Sequence, residues 1–341
     1  MMRVLKTFIA ICFFIALVIA YLIFGSATSF PEKKKYLLIT SSADAKRQVL
    51  QQLKEKELIN QVFLFELVAN NWQVWEKLRP GKFVVNNGES IFSLARKLRN
   101  NRQEEVKLVI NKLRTPNDFK QLLAKNFALD TSSIQAFIVN NDSLSTYDVN
   151  KETLFSVAVP NTYQFYYSAS MTQIFQKLHK AYKQFWTEER LQKATKQGFS
   201  PNEIITIASI VEEETNKQAE KSTIASVYIN RLRKGMPLGA DPTIKYALND
   251  FTLKRILYVH LQVKSPYNTY KNKGLPPGPI CTPSPATIDA VLNAPSTNYY
   301  YFVADASLNG YHHFSNTFQE HVQYAKLYQQ ALDTYFQQNG K

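Results

Sequence analysis

From Thr7 to Phe24 the chain runs without a charged residue or a helix breaker, and Gly25 ends the run. A helix of ~17–20 such residues is roughly 30 Å long, the thickness of the hydrocarbon core of a bilayer. A cleaved signal peptide needs a shorter apolar core followed by a small-residue site. Gly25-Ser26-Ala27 could serve as that site, but the length of the run favours a retained anchor. Arg3 and Lys6 precede the span, which puts the N-terminus in the cytoplasm, while Lys33, Lys34 and Lys35 on the far side weaken the asymmetry. The expected topology is a short cytoplasmic tail (1–6), a transmembrane helix (7–25) and a large extracytoplasmic region. A linker of about five to ten residues before Lys33, at roughly 3.3–3.6 Å each, would hold that region close to the membrane. Removing residues 1–30 is then expected to leave a working soluble domain. No later stretch is apolar enough to span again.

About 315 residues follow the span, more than one small core usually organises, so two domains are expected. The formal charge of +14 suits anionic lipid headgroups or cell-wall polymers, or simply a solvated basic surface. Nucleic acid fits poorly, because the chain has neither zinc-finger spacing nor an RNP-type signature. Cys12 lies in the span and Cys281 far from it, so no internal disulfide or cysteine metal site is expected. The five histidines form no H-E-x-x-H pattern, which argues against a metal enzyme.

Apolar residues at helical spacing predict a helix over 42–58. Pro80-Gly81 marks a turn into a short strand, Lys82–Val85. Gly88-Glu89-Ser90 is a glycine turn leading to an N-cap and a short amphipathic helix. Val106–Ile110 alternates as a strand, and Thr115-Pro116-Asn117-Asp118 opens another helix. This texture predicts a small α+β module over 31–150. The stretch Gly88–Leu98 resembles the LysM module, which binds glycans rich in N-acetylglucosamine. Helices are predicted at 171–186, 201–216 and 222–234, and from Tyr267 onward the chain is rich in Pro, Gly and aromatic residues.

Ser200 to Thr215 reads as a capped apolar helix ending in three carboxylates. Ser200 and Glu203 make the S-x-x-E capping box, with Pro201 at the first helical position. Ile204, Ile207, Ala208 and Val211 form the stripe expected to be buried. At about 100° per residue, Glu212 and Glu214 fall on the flanks of that stripe and Glu213 faces solvent. Partial desolvation could then raise the pKa of Glu212 or Glu214, making either a candidate general acid. Downstream, Asn230-Arg231, Asp241-Pro242-Thr243, Tyr246, Tyr267-Asn268-Thr269-Tyr270 and Gly274-Leu275-Pro276-Pro277-Gly278 bring together aromatic faces and amide, carboxylate and hydroxyl groups. Carbohydrate sites need this mixture.

These motifs occur in a recognisable order: Ile210-Val211-Glu212-Glu213-Glu214-Thr215, Ala225-Ser226-Val227-Tyr228-Ile229-Asn230-Arg231-Leu232, Asp241-Pro242-Thr243, Tyr267-Asn268-Thr269-Tyr270, Gly274–Ile280 and Tyr301-Phe302-Val303-Ala304. Pro160-Asn161-Thr162-Tyr163 precedes them, and Gly310–Phe314 and Glu320-His321 follow. Over roughly 160–325 the chain closely resembles the MltG/YceG-like endolytic murein transglycosylases. Val322 stands where the family commonly has Asn, and Gly239-Ala240 where a polar residue is common before Asp241.

The resemblance implies an α+β protein with a single N-terminal transmembrane helix, a LysM-like region and a catalytic domain over 155–341. It implies a lytic transglycosylase that cleaves the MurNAc-β-1,4-GlcNAc bond of nascent peptidoglycan and leaves 1,6-anhydro-MurNAc ends. The first glutamate of I-V-E-x-E-T, Glu212, is then the general acid/base, with a raised pKa expected. Glu214, Asn230, Arg231, Asp241, Thr243, Tyr246, Tyr267, Asn268, Tyr270 and His312 are the substrate-binding candidates. No metal or cofactor is implied; the implied partners are glycan strands, the membrane and peptidoglycan synthases. A hydrolytic muramidase, with Glu214 or Asp241 as second carboxyl group, and a non-enzymatic wall-binding scaffold are the alternatives.

Overall fold

The computed structural model of the chain describes residues 2–338 as a mixed α+β protein. In chain order the elements are α1 (Met2–Phe24), β1 (Lys34–Ile39), α2 (Ala45–Glu55), α3 (Val62–Asn71), α4 (Val74–Lys77), β2 (Gly81–Asn86), α5 (Ile91–Arg99), β3 (Glu105–Ile110), α6 (Pro116–Asn126), α7 (Thr131–Val139), α8 (Asn141–Ser145), α9 (Leu154–Val157) and β4 (Asn161–Tyr166). They continue with α10 (Met171–Phe185), α11 (Glu188–Gln197), α12 (Pro201–Glu214), α13 (Lys221–Arg233), α14 (Asp241–Leu248), α15 (Pro285–Leu292), β5 (Tyr301–Ala304), β6 (His312–Ser315) and α16 (Phe318–Gln338). The sheets are two-stranded: β1–β2, β3–β4 and β5–β6. Two compact units result, one of residues 1–108, 122–131 and 163–171, the other of 109–121, 132–162 and 172–341.

In the first unit, α1 contains a 21-residue apolar stretch, Val4–Phe24, of mean hydropathy 2.9, long enough to cross a membrane. Its side chains from Val4 to Tyr21 are exposed, as a lipid-facing helix requires. β1 and β2 pair antiparallel, from Lys34 opposite Asn86 to Ile39 opposite Gly81. Leu37, Ile39, Phe83 and Val85 turn inward onto Val49 and Leu53 of α2, Phe65 of α3 and Leu94 and Leu98 of α5. Gly88 takes φ +81°, the left-handed turn that a side chain would resist, and Ser90 caps α5 by accepting from the Ser93 N–H at 3.1 Å. Glu89, between them, is buried and turned inward, bonded to Lys97 Nζ at 2.7 Å and Ser93 Oγ at 2.8 Å.

The segment after α1 is not a free linker. Ala27 N–H donates to the Glu89 carbonyl at 3.0 Å, Thr28 Oγ1 donates to the Asn86 carbonyl at 2.8 Å, and Phe30 is part of the core. Phe24, the last residue of α1, meets the Phe92 ring of α5 with centroids 4.8 Å apart.

The second unit is built around α12. The capping box at Ser200 and Glu203 forms as the sequence predicts. The one-sided stripe does not, because every residue from Ile204 to Val211 is buried, Thr206 and Ser209 included. A helix apolar around nearly its whole circumference is a central helix, and α13, α14 and α15 all pack on it. Ser209 Oγ, buried at its middle, accepts from the Ile280 N–H at 2.9 Å and so fixes the Pro/Gly-rich loop to the helix. Antiparallel β5–β6 runs from Tyr301 opposite Ser315 to Ala304 opposite His312, and α16 lies on it.

Gly278 in that loop is required by space. A Cβ there would fall 2.1 Å from the backbone carbonyl oxygen of Glu152. Gly278→Ala should therefore destabilise the second unit by about 1–3 kcal/mol, the range for an overpacked interior. Urea unfolding followed by the fluorescence of Trp186, the tryptophan of that unit's core, checks this against a Gly274→Ala control. That control has open space around its added methyl but a positive φ, so its cost is confined to backbone strain.

Candidate active site

The last turn of α12 carries Glu212, Glu213 and Glu214, each partly buried, at the negative end of a helix, where carboxylates are least favoured. The structure gives each a different environment. Glu212 Oε2 accepts from Lys221 Nζ at 3.0 Å, from Ser284 Oγ at 3.1 Å and from Thr287 Oγ1. Lys221 is itself buried and also donates to Thr287 Oγ1 at 2.7 Å. Burial pushes the Glu212 carboxyl up, but the hydrogen bonds from Thr287 and Lys221 and the Lys221 charge outweigh it, so its pKa falls below the ordinary 4.5. This corrects the expected rise. Glu213 does not face solvent either: Arg114 grips it through Nε at 3.2 Å and Nη2 at 3.1 Å, with Lys112 Nζ 3.1 Å away. Placement at about 100° per residue puts Glu213 in solvent only if one face of α12 is buried, whereas α12 is central.

Glu214 has no cationic partner within salt-bridge distance among the described residues. It accepts from the Tyr228 hydroxyl through Oε1. Desolvation is the largest influence and raises its pKa to about 7; the Asp241 charge adds to the rise, while Tyr228, Lys245 and Arg231 oppose it. Glu214 can thus hold a proton near neutrality.

Glu214 lines an open cleft of about 540 Å³, with Tyr228, Arg231, Asp241, Tyr270, Tyr301 and His321 among its walls. Asp241 is the first residue of α14 rather than its cap, and its Oδ1 accepts from Tyr270 OH at 2.5 Å. Arg231 is locked by two backbone carbonyls, donating from Nε to Tyr300 and from Nη1 to Leu238, each at 2.6 Å. Its guanidinium carbon sits 5.2 Å from the centre of the Tyr301 ring. His321 stacks on Tyr301 itself, with centroids 5.4 Å apart, and burial lowers its pKa. Aromatic faces beside fixed polar groups and one protonated carboxyl group can bind a sugar chain and protonate a bridging oxygen.

Four of the sequence candidates therefore meet at one cleft: Glu214, Arg231, Asp241 and Tyr270. The others hold the frame. Asn230 donates to the carbonyls of Thr297 and Tyr299, both at 2.9 Å. Thr243 is buried and donates to the Ala240 carbonyl at 2.7 Å. Tyr246 and Tyr267 pack ring to ring with centroids 4.6 Å apart, and Asn268 clamps the carbonyls of Leu261 and Val263. His312 is tied to buried Glu220 through its N–H at 2.8 Å and Nδ1 at 3.1 Å. Tyr228, Tyr301 and His321 were not singled out as site residues, although each lies in a motif quoted above. Lys221, Arg114 and Lys112 carried no signal, because only the fold brings them to α12.

A family profile described as YceG-like matches residues 39–327. An endolytic murein transglycosylase of Bacillus subtilis is 44% identical over 126 residues, which are 37% of this chain and 34% of that protein. The one of Streptococcus pneumoniae serotype 2 is 38% identical over 124 residues, 35% of this chain and 22% of that protein. In these matches the chain spans about a third or less of the length of its curated relatives. The crystal structure of a YceG-like protein of Listeria monocytogenes aligns with a TM-score of 0.53 at 28% identity, covering 86% of this chain and 99% of that one.

Lys221→Met removes the cation from a buried ion pair and should cost about 3–5 kcal/mol. Adding Glu212→Gln should restore much of this, since no charge is then stranded. The pH dependence has a definite sign. Glu212, with its folded pKa below the ordinary value, stabilises the fold above pH 4.5, and that contribution is lost as pH falls through the folded pKa. Urea titrations of the single and double variants across that acid range measure both effects.

Proposed function

We propose, from the premise that this chain belongs to the YceG-like family, that it is a membrane-anchored lytic transglycosylase cleaving MurNAc-β-1,4-GlcNAc bonds of nascent peptidoglycan. The observation that carries the reading is Glu214, a carboxyl group of pKa about 7 on the wall of an open, aromatic-lined cleft. The sequence motif pointed to Glu212 for the acid/base role. Its Lys221 partner and lowered pKa favour assigning that role to Glu214 instead.

In the proposed reaction protonated Glu214 gives its proton to the bridging oxygen as the C1–O bond breaks, and an oxocarbenium-like species develops at C1 of the muramic ring. The C6 hydroxyl of the same ring attacks C1 and returns its proton to Glu214. The products are a 1,6-anhydro end and a free 4-hydroxyl, with no water consumed and no net proton change. One carboxyl group suffices because the substrate supplies the nucleophile. Desolvation keeps Glu214 protonated and the Asp241 charge adds to it, Arg231 and Tyr270 offer polar contacts, and the Tyr301 face receives a sugar ring. α1 would place this chemistry on the extracytoplasmic side, near peptidoglycan synthases. The LysM-like reading of the first unit would give it a second glycan contact, though not through inward-turned Glu89. A hydrolytic muramidase has one observation in its favour, since Asp241 shares the cleft and could activate water.

Purified chain incubated with glycan strands, with products read by mass spectrometry, tests this. Anhydro ends are expected; reducing ends would mean hydrolysis, and intact strands would mean a wall-binding scaffold. Glu214→Gln should lower the rate about 10²–10⁴-fold, with Glu212→Gln losing far less when both are assayed well below their unfolding temperatures. The opposite ranking would return the acid role to Glu212. Because the acid must be protonated, kcat/KM should fall as pH rises through about 7.

A further inference from the structure

A cavity of about 1060 Å³ lies in the first unit beside the end of α1, and the chemistry above makes no use of it. Its wall includes Leu22 of α1, Lys35 of β1, Lys54 of α2, Glu57 just after it, and Phe63 and Leu64 at the start of α3. We propose that this cavity binds an anionic phospholipid of the leaflet from which α1 emerges. The headgroup phosphate would sit at Lys35 and Lys54, and the upper acyl chains against Leu22 and Phe63. The inference rests on reading α1 as a membrane span.

Depth is the first argument. Leu22 stands two residues before the end of α1, about 3 Å along a helix axis, so a cavity that it walls opens at the boundary between acyl chains and headgroups. The position is fixed, because Phe24 packs on Phe92 and the chain beyond is bonded to Glu89 and Asn86. Uncovered apolar surface is the second. Phe63 is 74% exposed and Leu67, one turn on along the same face of α3, is 42% exposed. Large aromatic groups suit the interface, where water is already partly excluded. Charge is the third. Lys54 is exposed and makes no ion pair among the described residues. The Lys35 amine lies 5.1 Å above the Phe30 ring and 3.7 Å from Glu32, an exposed pair worth little. Among the described residues, Glu57 is the one carboxylate on the wall against these two lysines. Juxtamembrane lysines of this kind are drawn to anionic headgroups. A free anion would satisfy the lysines but leave Phe63 of the wall, and Leu67 beyond it on α3, in water, so the lipid accounts for both the charge and the uncovered apolar surface.

The full chain in nanodiscs of phosphatidylcholine, with or without phosphatidylglycerol, tests the proposal. Phe63→Cys in a Cys12→Ser background carries a nitroxide; the remaining Cys281 is buried. Collisions with oxygen and with a water-soluble nickel chelate then report its depth. Phosphatidylglycerol should shield the label from the chelate, and Lys35→Glu with Lys54→Glu should weaken that preference about tenfold or more. Equal shielding in both lipids would overturn headgroup recognition, and chelate exposure in both would mean that something other than lipid covers Phe63. If inorganic phosphate added to phosphatidylcholine discs reproduced the shift, the site would belong to a free anion. A nitroxide on native Cys12 reports separately whether α1 is inserted; if that label meets the chelate, the span reading fails and the lipid site with it.

Discussion

Three adjacent carboxylates at the partly buried C-terminal end of α12 set the terms for the segments around them. That end is only partly open to water, and the helix dipole makes it hostile to negative charge. The fold answers three times, by different means. Lys221, the first residue of α13, neutralises Glu212; the segment before α6 brings Lys112 and Arg114 to Glu213; desolvation instead favours the protonated form of Glu214, against the hydrogen bond from Tyr228. These demands fix where α13, α15 and the 111–114 segment lie. Thr282 extends the same arrangement, donating to the Asn111 carbonyl at 2.7 Å while its hydroxyl accepts from the Leu113 N–H at 2.8 Å.

Much of this architecture was legible in the sequence, for local reasons. Capping at Ser200 and Ser90, the glycine turn at 88 and the apolar run of α1 are signals carried within a few residues, and each element formed where it was expected within a few positions. The burial of α12 was legible only in part. Ile205 and Ile210 lie off the predicted stripe, and an amphipathic reading had no way to bury Thr206 and Ser209 as well. That error propagated to Glu213, assigned to solvent from the same wheel. The pKa of Glu212 failed for another reason: a lysine nine residues on and a threonine seventy-five residues on decide it, and neither distance has a sequence signature.

The cleft shows the same division between local and assembled features. Glu214, Arg231, Asp241 and Tyr270 were singled out as site residues in their short motifs, whereas Tyr301 and His321 lay in quoted motifs but reach the cleft only with the β5–β6 hairpin and α16, up to 107 positions away from Glu214. Several candidates that read as sugar contacts prove to be clamps on backbone carbonyls, as Asn230 and Asn268 are. Amide side chains do both jobs, and composition does not separate them. What separates them is whether the carbonyls are already in reach.

The way the chain leaves α1 has a consequence for handling the molecule. Because Thr28 and Phe30 are components of the first unit's interior, that unit begins inside what looks like a tether. A soluble fragment cut after residue 30 would lose a buried aromatic ring and the hydroxyl that closes the turn at Glu89; one cut after Gly25 would keep both. For the intact chain the same bonds make the helix a shaft rather than a leash. If α1 spans a bilayer, these bonds would pass any tilt of the helix to the first unit.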